Sequence, residues 1–164
     1  MNLDPLPGPN ANGKVADVAG RLLALDLGAK RVGLAVSDEL HITATPVPFI
    51  ERRSWKELLR RVASVIEAYD ARGLVIGLPL NLDGSEGEAA REAKRIAQNF
   101  QRSLNVPVYL QDERLTSFAA DLAMRSDGVN TQESQSRIDS ESAAIILRDF
   151  LAQHSQPEPP AASG

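Results

Sequence analysis

The chain has 164 residues, of which 43% are hydrophobic, and its formal net charge is −4. This length suits one domain with its own core, and the charge argues mildly against a protein that coats nucleic acid through bulk positive charge. The absence of cysteine excludes a disulfide framework and thiolate metal ligands. No run of about 18 apolar residues is present to span a membrane, and the N-terminus lacks the pattern of a signal peptide. These features favour a cytoplasmic protein.

The two ends of the chain differ in composition from its centre. Residues 1–20 are rich in Pro, Gly and Asn, and residues 155–164 are mostly Pro, Ser and Ala. Neither segment has the apolar residues that a core requires. We therefore expect a disordered N-terminal extension over 1–20, a folded domain over 21–154 and a disordered C-terminal tail over 155–164.

The first predicted elements are three strands. The apolar run over 22–27 predicts a buried strand, and a Gly-containing turn joins it to a second strand over 32–37, so the two form a hairpin. A third strand over 43–50 contains two prolines, which cannot donate to a strand ladder. We therefore expect this third strand at an edge of the sheet.

Helices and strands then alternate. Ser54 and Glu57 form a capping box that predicts a helix with one apolar stripe. A short apolar strand follows over 73–77. A second capping box, formed by Ser85 and Glu88, predicts the start of the next helix.

The last third of the chain predicts one more strand and two helices. The strand covers 106–111 and the helices cover 116–125 and 140–152, with a polar, mobile segment over 127–136 between them. This order predicts an α/β protein, in which a three-stranded antiparallel part is extended by parallel strands and flanked by helices.

Three carboxylates lie at the borders of these elements. Asp26 ends an otherwise apolar strand, where burying a lone charge is costly. Glu113 follows a strand, and Asp139 precedes the last predicted helix. Each has an ordinary structural alternative: Asp26 as a turn residue, Glu113 as a partner of Arg114, and Asp139 as a helix N-cap.

Carboxylates from three separate segments fit one kind of chemistry. Mg²⁺ and Mn²⁺ prefer oxygen ligands and retain several waters. Two such ions, about 3.5–4 Å apart, can activate a water and stabilise the leaving oxygen of a phosphodiester. Asp112 and Glu141 are neighbouring carboxylates whose assistance to such a site is left open.

Several polar residues are candidates for substrate binding. Lys30 and Arg31 flank the hairpin turn, and Arg114 follows Glu113, so each could meet a phosphate. Asn81 lies in a Gly-bordered loop that could approach a sugar-phosphate. Ordinary surface charges and salt bridges explain the basic residues equally well.

The densest basic cluster lies around the start of the first predicted helix. We expect it to form the solvated face of that helix rather than to steer nucleic acid. Its members are Arg52, Arg53, Lys56, Arg60 and Arg61.

Four motifs, in order, resemble those of the YqgF/RuvX family. They are Asp26-x-Gly28-x-x-Arg31-x-Gly33, Gly77-Leu78-Pro79-x-Asn81-x-Asp83-Gly84, Asp112-Glu113-Arg114-x-Thr116-Ser117 and Ile138-Asp139-Ser140-x-Ser142-Ala143-Ala144. Each motif alone is weak, but the ordered set is highly specific. One departure is that residues 131–136 are neutral to acidic, where many members carry a basic stretch.

The resemblance implies an RNase H-like fold and a metal-dependent nuclease. Members are described as maturing the 5′ end of precursor 16S ribosomal RNA, with Holliday junctions or other branched DNA as the alternative substrate. By resemblance, Asp26, Glu113 and Asp139 are the catalytic carboxylates and hold Mg²⁺ or Mn²⁺, as a pair of ions. The implied partners are nucleic acid and ribosomal particles, and a homodimer would suit symmetrical junction cleavage.

Two other classes of function are alternatives to a nuclease. The hairpin after Asp26 also resembles the first phosphate loop of sugar kinases and actin-like proteins, but those need two lobes, and this chain has room for one. A non-catalytic ribosome-assembly or nucleic-acid-binding factor would not need the three acidic positions, which this chain retains.

Overall fold

A computed structural model of the chain describes residues 19–113 and 132–154, and for residues 132–139 it describes the backbone alone. The elements within these ranges run from Arg21 to His154. Several predictions lie outside the described residues. They are the disorder expected up to residue 18 and over 155–164, the helix over 116–125, the polar segment up to residue 131, and the binding role of Arg114.

Five strands form one mixed sheet. They are β1 (Arg21–Leu27), β2 (Arg31–Ser37), β3 (Ala44–Glu51), β4 (Ala71–Leu78) and β5 (Val108–Asp112). Their spatial order is β3-β2-β1-β4-β5. The first three strands pair antiparallel, whereas β4 pairs parallel with both β1 and β5. The predicted mixed sheet and the edge position of β3 are both confirmed.

Helices cover both faces of this sheet. Those in the described part of the chain are α1 (Trp55–Tyr69), α2 (Glu88–Ser103) and α3 (Gln132–His154). Helix α1 begins where the sequence predicts. The Ser54 hydroxyl caps it by accepting a hydrogen bond from the Glu57 backbone N–H at 3.2 Å. None of these helices is both long and apolar enough to cross a membrane.

The predicted second capping box is wrong. Helix α2 begins at Glu88 after Gly87, which has no side chain to cap it. Ser85 instead belongs to the preceding loop, where its hydroxyl donates to the Asp83 carboxylate at 2.6 Å and accepts from the Asn81 side chain at 2.9 Å. These local hydrogen bonds compete with helix capping and close the loop on itself.

The start of the last helix was also predicted wrongly. Helix α3 begins at Gln132 rather than at Ser140, so residues 132–136 are helical and not part of a polar loop. Residues 132–139 contain neither Gly nor Pro, and Gln, Glu and Arg among them favour helices. Asp139 therefore lies about two turns inside α3 and is not its N-cap.

The core consists of two apolar layers on opposite faces of the sheet. One layer joins the sheet to α1 and α2 through Leu23, Leu25, Leu58, Val62, Leu74, Ile76 and Phe100. The other joins it to α3 through Leu22, Ala24, Val75, Ala143, Ile146, Leu147 and Phe150. Because side chains alternate along a strand, Asp26 shares the α3 face with Leu22 and Ala24.

A buried hydrogen bond fastens α3 to the edge strand. The Ser140 hydroxyl donates to the Val47 carbonyl oxygen at 2.8 Å, and Ser140 is almost completely buried.

We expect Ser140→Ala to leave that carbonyl without this donor and to lower the free energy of unfolding by about 1–2 kcal/mol. Chemical denaturation measures the change. Ser64→Ala, at an exposed position of α1, is the control, and equal effects of the two substitutions would contradict this role of Ser140.

Candidate active site

Asp26 and Glu113 line the same cleft at one end of the sheet. Asp26 is the penultimate residue of β1, Glu113 directly follows β5, and β4 lies between these two strands. Because β1, β4 and β5 are parallel, their carboxyl ends meet at one edge, where ligand crevices form in such sheets. The cleft has a volume of about 680 Å³, and Gly77 and Pro79 at the end of β4 also line it.

A missing side chain makes room for Glu113. The Glu113 backbone N–H donates to the Leu78 carbonyl oxygen at 3.1 Å, and the Glu113 side chain lies over Gly77. A Cβ atom on Gly77 would stand 2.8 Å from the Glu113 carboxyl carbon and 2.8 Å from Cδ1 of Ile146 in α3. With a Cβ atom at this position, the ends of the Glu113 and Ile146 side chains would have to shift away from β4.

The electrostatic environment of Glu113 disfavours its negative charge. Burial, and after it the nearby charges of Asp26 and Asp112, together raise the pKa of Glu113 from its ordinary 4.5 to about 8. Removing a carboxylate from water and placing like charges beside it both favour the protonated form. The site therefore holds more negative charge than it can stabilise by itself near neutral pH.

The opposite wall of the cleft carries an arginine and two acidic residues. Arg52 follows β3, and its Nη1 donates to the Gly28 carbonyl oxygen at 2.9 Å. Its Nη2 forms an ion pair with Glu92 of α2, and Glu88 of the same helix also lines the cleft. The sequence patterns indicated a solvated face of α1 for Arg52 and a capping box for Glu88, and they gave no signal for Glu92. The contacts of Arg52 join distant parts of the chain.

Comparison with known proteins decides the family of this chain. The family model of RuvX, described as Holliday junction resolvase, matches residues 20–153. The chain belongs to the RuvX family. A relative from Anaeromyxobacter sp. (strain K) is 44% identical over 131 residues, which are 80% of this chain and 96% of the relative. One from Syntrophus aciditrophicus (strain SB) is 36% identical over 140 residues, 85% of this chain and 93% of the relative.

Both relatives are named, provisionally, as pre-16S rRNA nucleases. A solved structure of Thermus thermophilus RuvC in complex with a Holliday junction substrate matches with a TM-score of 0.51 at 12% identity. The match covers 82% of this chain and 94% of that protein. The predicted family and RNase H-like fold are thus confirmed for this RuvX protein.

The three predicted substrate-binding residues that the structure describes are not among those that line the cleft. Lys30 is exposed in the turn between β1 and β2. The Arg31 guanidinium stacks over the Phe49 ring at 5.3 Å. Asn81 is exposed in the loop before α2, and Arg114 lies outside the described residues. The binding roles of all four residues stay predictions.

Two of the three predicted metal ligands are described and face one cleft. The third, Asp139, lies in α3, the helix that covers the same face of the sheet, but its side chain is outside the described residues. Among the side chains that are described, no group of three or more His, Cys, Asp or Glu could hold a metal ion. Asp26 and Glu113 nevertheless fit a hard divalent cation, which binds a few carboxylates and keeps several waters.

The raised pKa of Glu113 predicts a pH-dependent stability. Between pH 4.5 and about 8, the unfolded chain loses this proton while the folded protein retains it, so the protein loses stability as pH rises through this window. We expect Glu113→Gln, which cannot ionise, to melt a few degrees above wild type at pH 8 and close to it at pH 5, in EDTA. Thermal unfolding across this pH range measures the difference.

The control for that comparison is Glu67→Gln, which removes an exposed carboxylate of α1. Its melting temperature should follow the wild-type pH profile. A difference between Glu113→Gln and wild type that stays constant from pH 5 to pH 8 would show that the folded protein does not retain the Glu113 proton.

The contact between Gly77 and Glu113 predicts that an added side chain at position 77 destabilises the protein. We expect Gly77→Ala to lower the free energy of unfolding by about 1–3 kcal/mol, the usual cost of overpacking, because its Cβ would collide with Glu113 and Ile146. Denaturant titration measures this cost. Gly87→Ser is the control, because a Cβ there meets only Asn81 at ordinary distances of 3.5 Å or more. A combined Gly77→Ala/Glu113→Ala variant should recover part of the loss, and no recovery would argue against this contact.

Proposed function

We propose that this RuvX-family protein is a divalent-metal-dependent nuclease that hydrolyses phosphodiester bonds in the 5′-end maturation of precursor 16S ribosomal RNA. The observation that carries the proposal is the placement of Asp26 and Glu113 in one cleft, at the carboxyl ends of the two parallel strands that flank β4. The provisional names of the relatives support this substrate, and their similarity extends over most of both chains.

In this proposal Asp26, Glu113 and Asp139 hold two Mg²⁺ or Mn²⁺ ions. Such ions activate a water and stabilise the leaving oxygen of a phosphodiester. The protein supplies rigid ligands, because Asp26 is fixed within a strand and the Glu113 backbone is hydrogen-bonded to β4. A crowded group of carboxylates has a chemical purpose if cations neutralise it, since like charges held close together raise the cost of ionising each group.

A second candidate is cleavage of Holliday junctions or other branched DNA. The description of the matching family as Holliday junction resolvase favours it. The chemistry at the carboxylates would be the same, and the difference would lie in the shape of the substrate. Symmetrical cleavage of a four-way junction would call for a homodimer with two sites, whereas RNA maturation would bring ribosomal particles as partners in the cytoplasm.

Cleavage by wild type and Asp26→Asn tests the proposal. We expect wild type to cut a precursor rRNA fragment with Mg²⁺ or Mn²⁺ and not with EDTA. Asp26→Asn should lower this activity at least about 100-fold. Substituting a residue that only orients a metal ligand typically costs about 10–100-fold, and here the ligand itself is changed. Linear DNA and a four-way junction in the same panel decide between RNA maturation and junction cleavage.

The matched control is Asp70→Asn, which removes an exposed carboxylate at the opposite end of the sheet, before β4. It should cut as well as wild type. If wild type cuts no substrate with either metal, or if Asp26→Asn cuts equally well, the nuclease proposal fails and a non-catalytic assembly factor becomes the better description.

A further inference from the structure

Arg52 is the only basic residue among the described residues that line the cleft. Hydrogen bonds from both its backbone and its side chain hold Arg52 in place. The Arg52 backbone N–H donates to the Lys30 carbonyl oxygen at 2.8 Å, and its guanidinium donates to the Gly28 carbonyl oxygen at 2.9 Å. Both acceptors belong to the tight turn that directly follows β1, the strand of Asp26. Arg52 and Asp26 are therefore tied to the same rigid part of the fold.

The next residue shows that this orientation is specific. The Arg53 side chain is 64% exposed and pairs with Glu51 and Glu57 on the surface, whereas the Arg52 side chain is 23% exposed and turns into the cleft. Adjacent arginines thus occupy opposite environments, and Arg53 offers a matched comparison for Arg52.

The guanidinium of Arg52 has donors to spare for a ligand. An arginine carries five N–H donors in a planar fork, which suits two oxygens of a phosphate. In the structure one nitrogen is directed to Gly28 and the other to the Glu92 carboxylate. The contact of Nη1 with Gly28 fixes the plane of the guanidinium. Its Nη2 edge therefore faces the part of the cleft where the Glu92 carboxylate lies.

Glu92 holds the place that such an anion would take. Its side chain is 41% exposed, so a ligand that enters the cleft can reach this carboxylate. A phosphate on a nucleic-acid strand could replace this carboxylate, because both are oxygen anions that a guanidinium binds through paired N–H donors.

We infer that Arg52 binds a backbone phosphate of a nucleic-acid strand in the cleft, and that Glu92 occupies its guanidinium until that phosphate arrives. This inference rests on the proposed function for its choice of nucleic acid. It assigns Arg52 to the substrate strand on the α2 side of the cleft, opposite the carboxylates on the α3 side.

Equilibrium binding in EDTA tests the inference apart from metal-dependent cleavage. The probes are a labelled single-stranded RNA, an RNA duplex and a four-way DNA junction, each titrated at several KCl concentrations. We expect Arg52→Gln to weaken binding about tenfold, as for the loss of a charged hydrogen bond, and to reduce the salt slope by about one. Arg52→Lys should lie between wild type and Arg52→Gln, since it keeps the charge without the fork.

Glu92→Gln provides the opposite test and is expected to tighten binding several-fold, because it frees the guanidinium. Arg53→Gln is the control and should change the Kd less than about twofold. Melting temperatures of all variants establish that they are folded. The inference is overturned if Arg52→Gln binds like Arg53→Gln, if Glu92→Gln binds no tighter than wild type, or if wild type binds none of the probes.

Cleavage assays on the same variants separate this inference from the proposed function. Metal-dependent cutting by wild type with a KM that Arg52→Gln leaves unchanged would preserve the nuclease and remove the phosphate site. Binding that depends on Arg52, together with no cutting by wild type, would preserve the phosphate site and remove the nuclease. A raised KM with a smaller change in kcat supports both.

Discussion

The crowding of carboxylates at one end of the sheet is the constraint on which the rest of the site depends. Glu113 is driven toward its protonated form by burial first, and then by the charges of Asp26 and Asp112. A fold selected only for stability would not place these groups together, since each raises the cost of ionising another. A cation held there would compete with the Glu113 proton, so its affinity would increase with pH.

The parallel part of the sheet makes this crowding possible. Strands β1 and β5 deliver Asp26 and Glu113 to one edge, and β4 between them carries glycine where the Glu113 side chain crosses it. The antiparallel strands β2 and β3 position the arginine on the other wall of the cleft. The chain that leaves β3 brings Arg52 back to the turn after β1. The mixed topology therefore brings the carboxylates and the arginine into one cleft.

Much of this arrangement could be predicted from local patterns. Apolar runs, Pro positions in β3 and the Ser54 cap predicted the sheet and the first helix, because each depends on a few adjacent residues. The Ser85 cap failed because Asp83 competes for the same hydroxyl. Arg52 could not be placed because its partners, Gly28 and Glu92, are distant in sequence. Only the folded chain reveals such contacts.

An acidic protein that acts on a polyanion must compensate charge where the two meet. The chain has a net charge of −4, and its cleft adds Glu88 and Glu92 to the carboxylates of the strand ends. In the protein alone, Glu113 tends to keep a proton, and Arg52 is paired with Glu92. In the proposed function a cation would take the place of that proton, and a phosphate would take the place of the Glu92 carboxylate on Arg52. The second exchange does not require the first, so the cleft could take up a nucleic-acid strand before a metal binds.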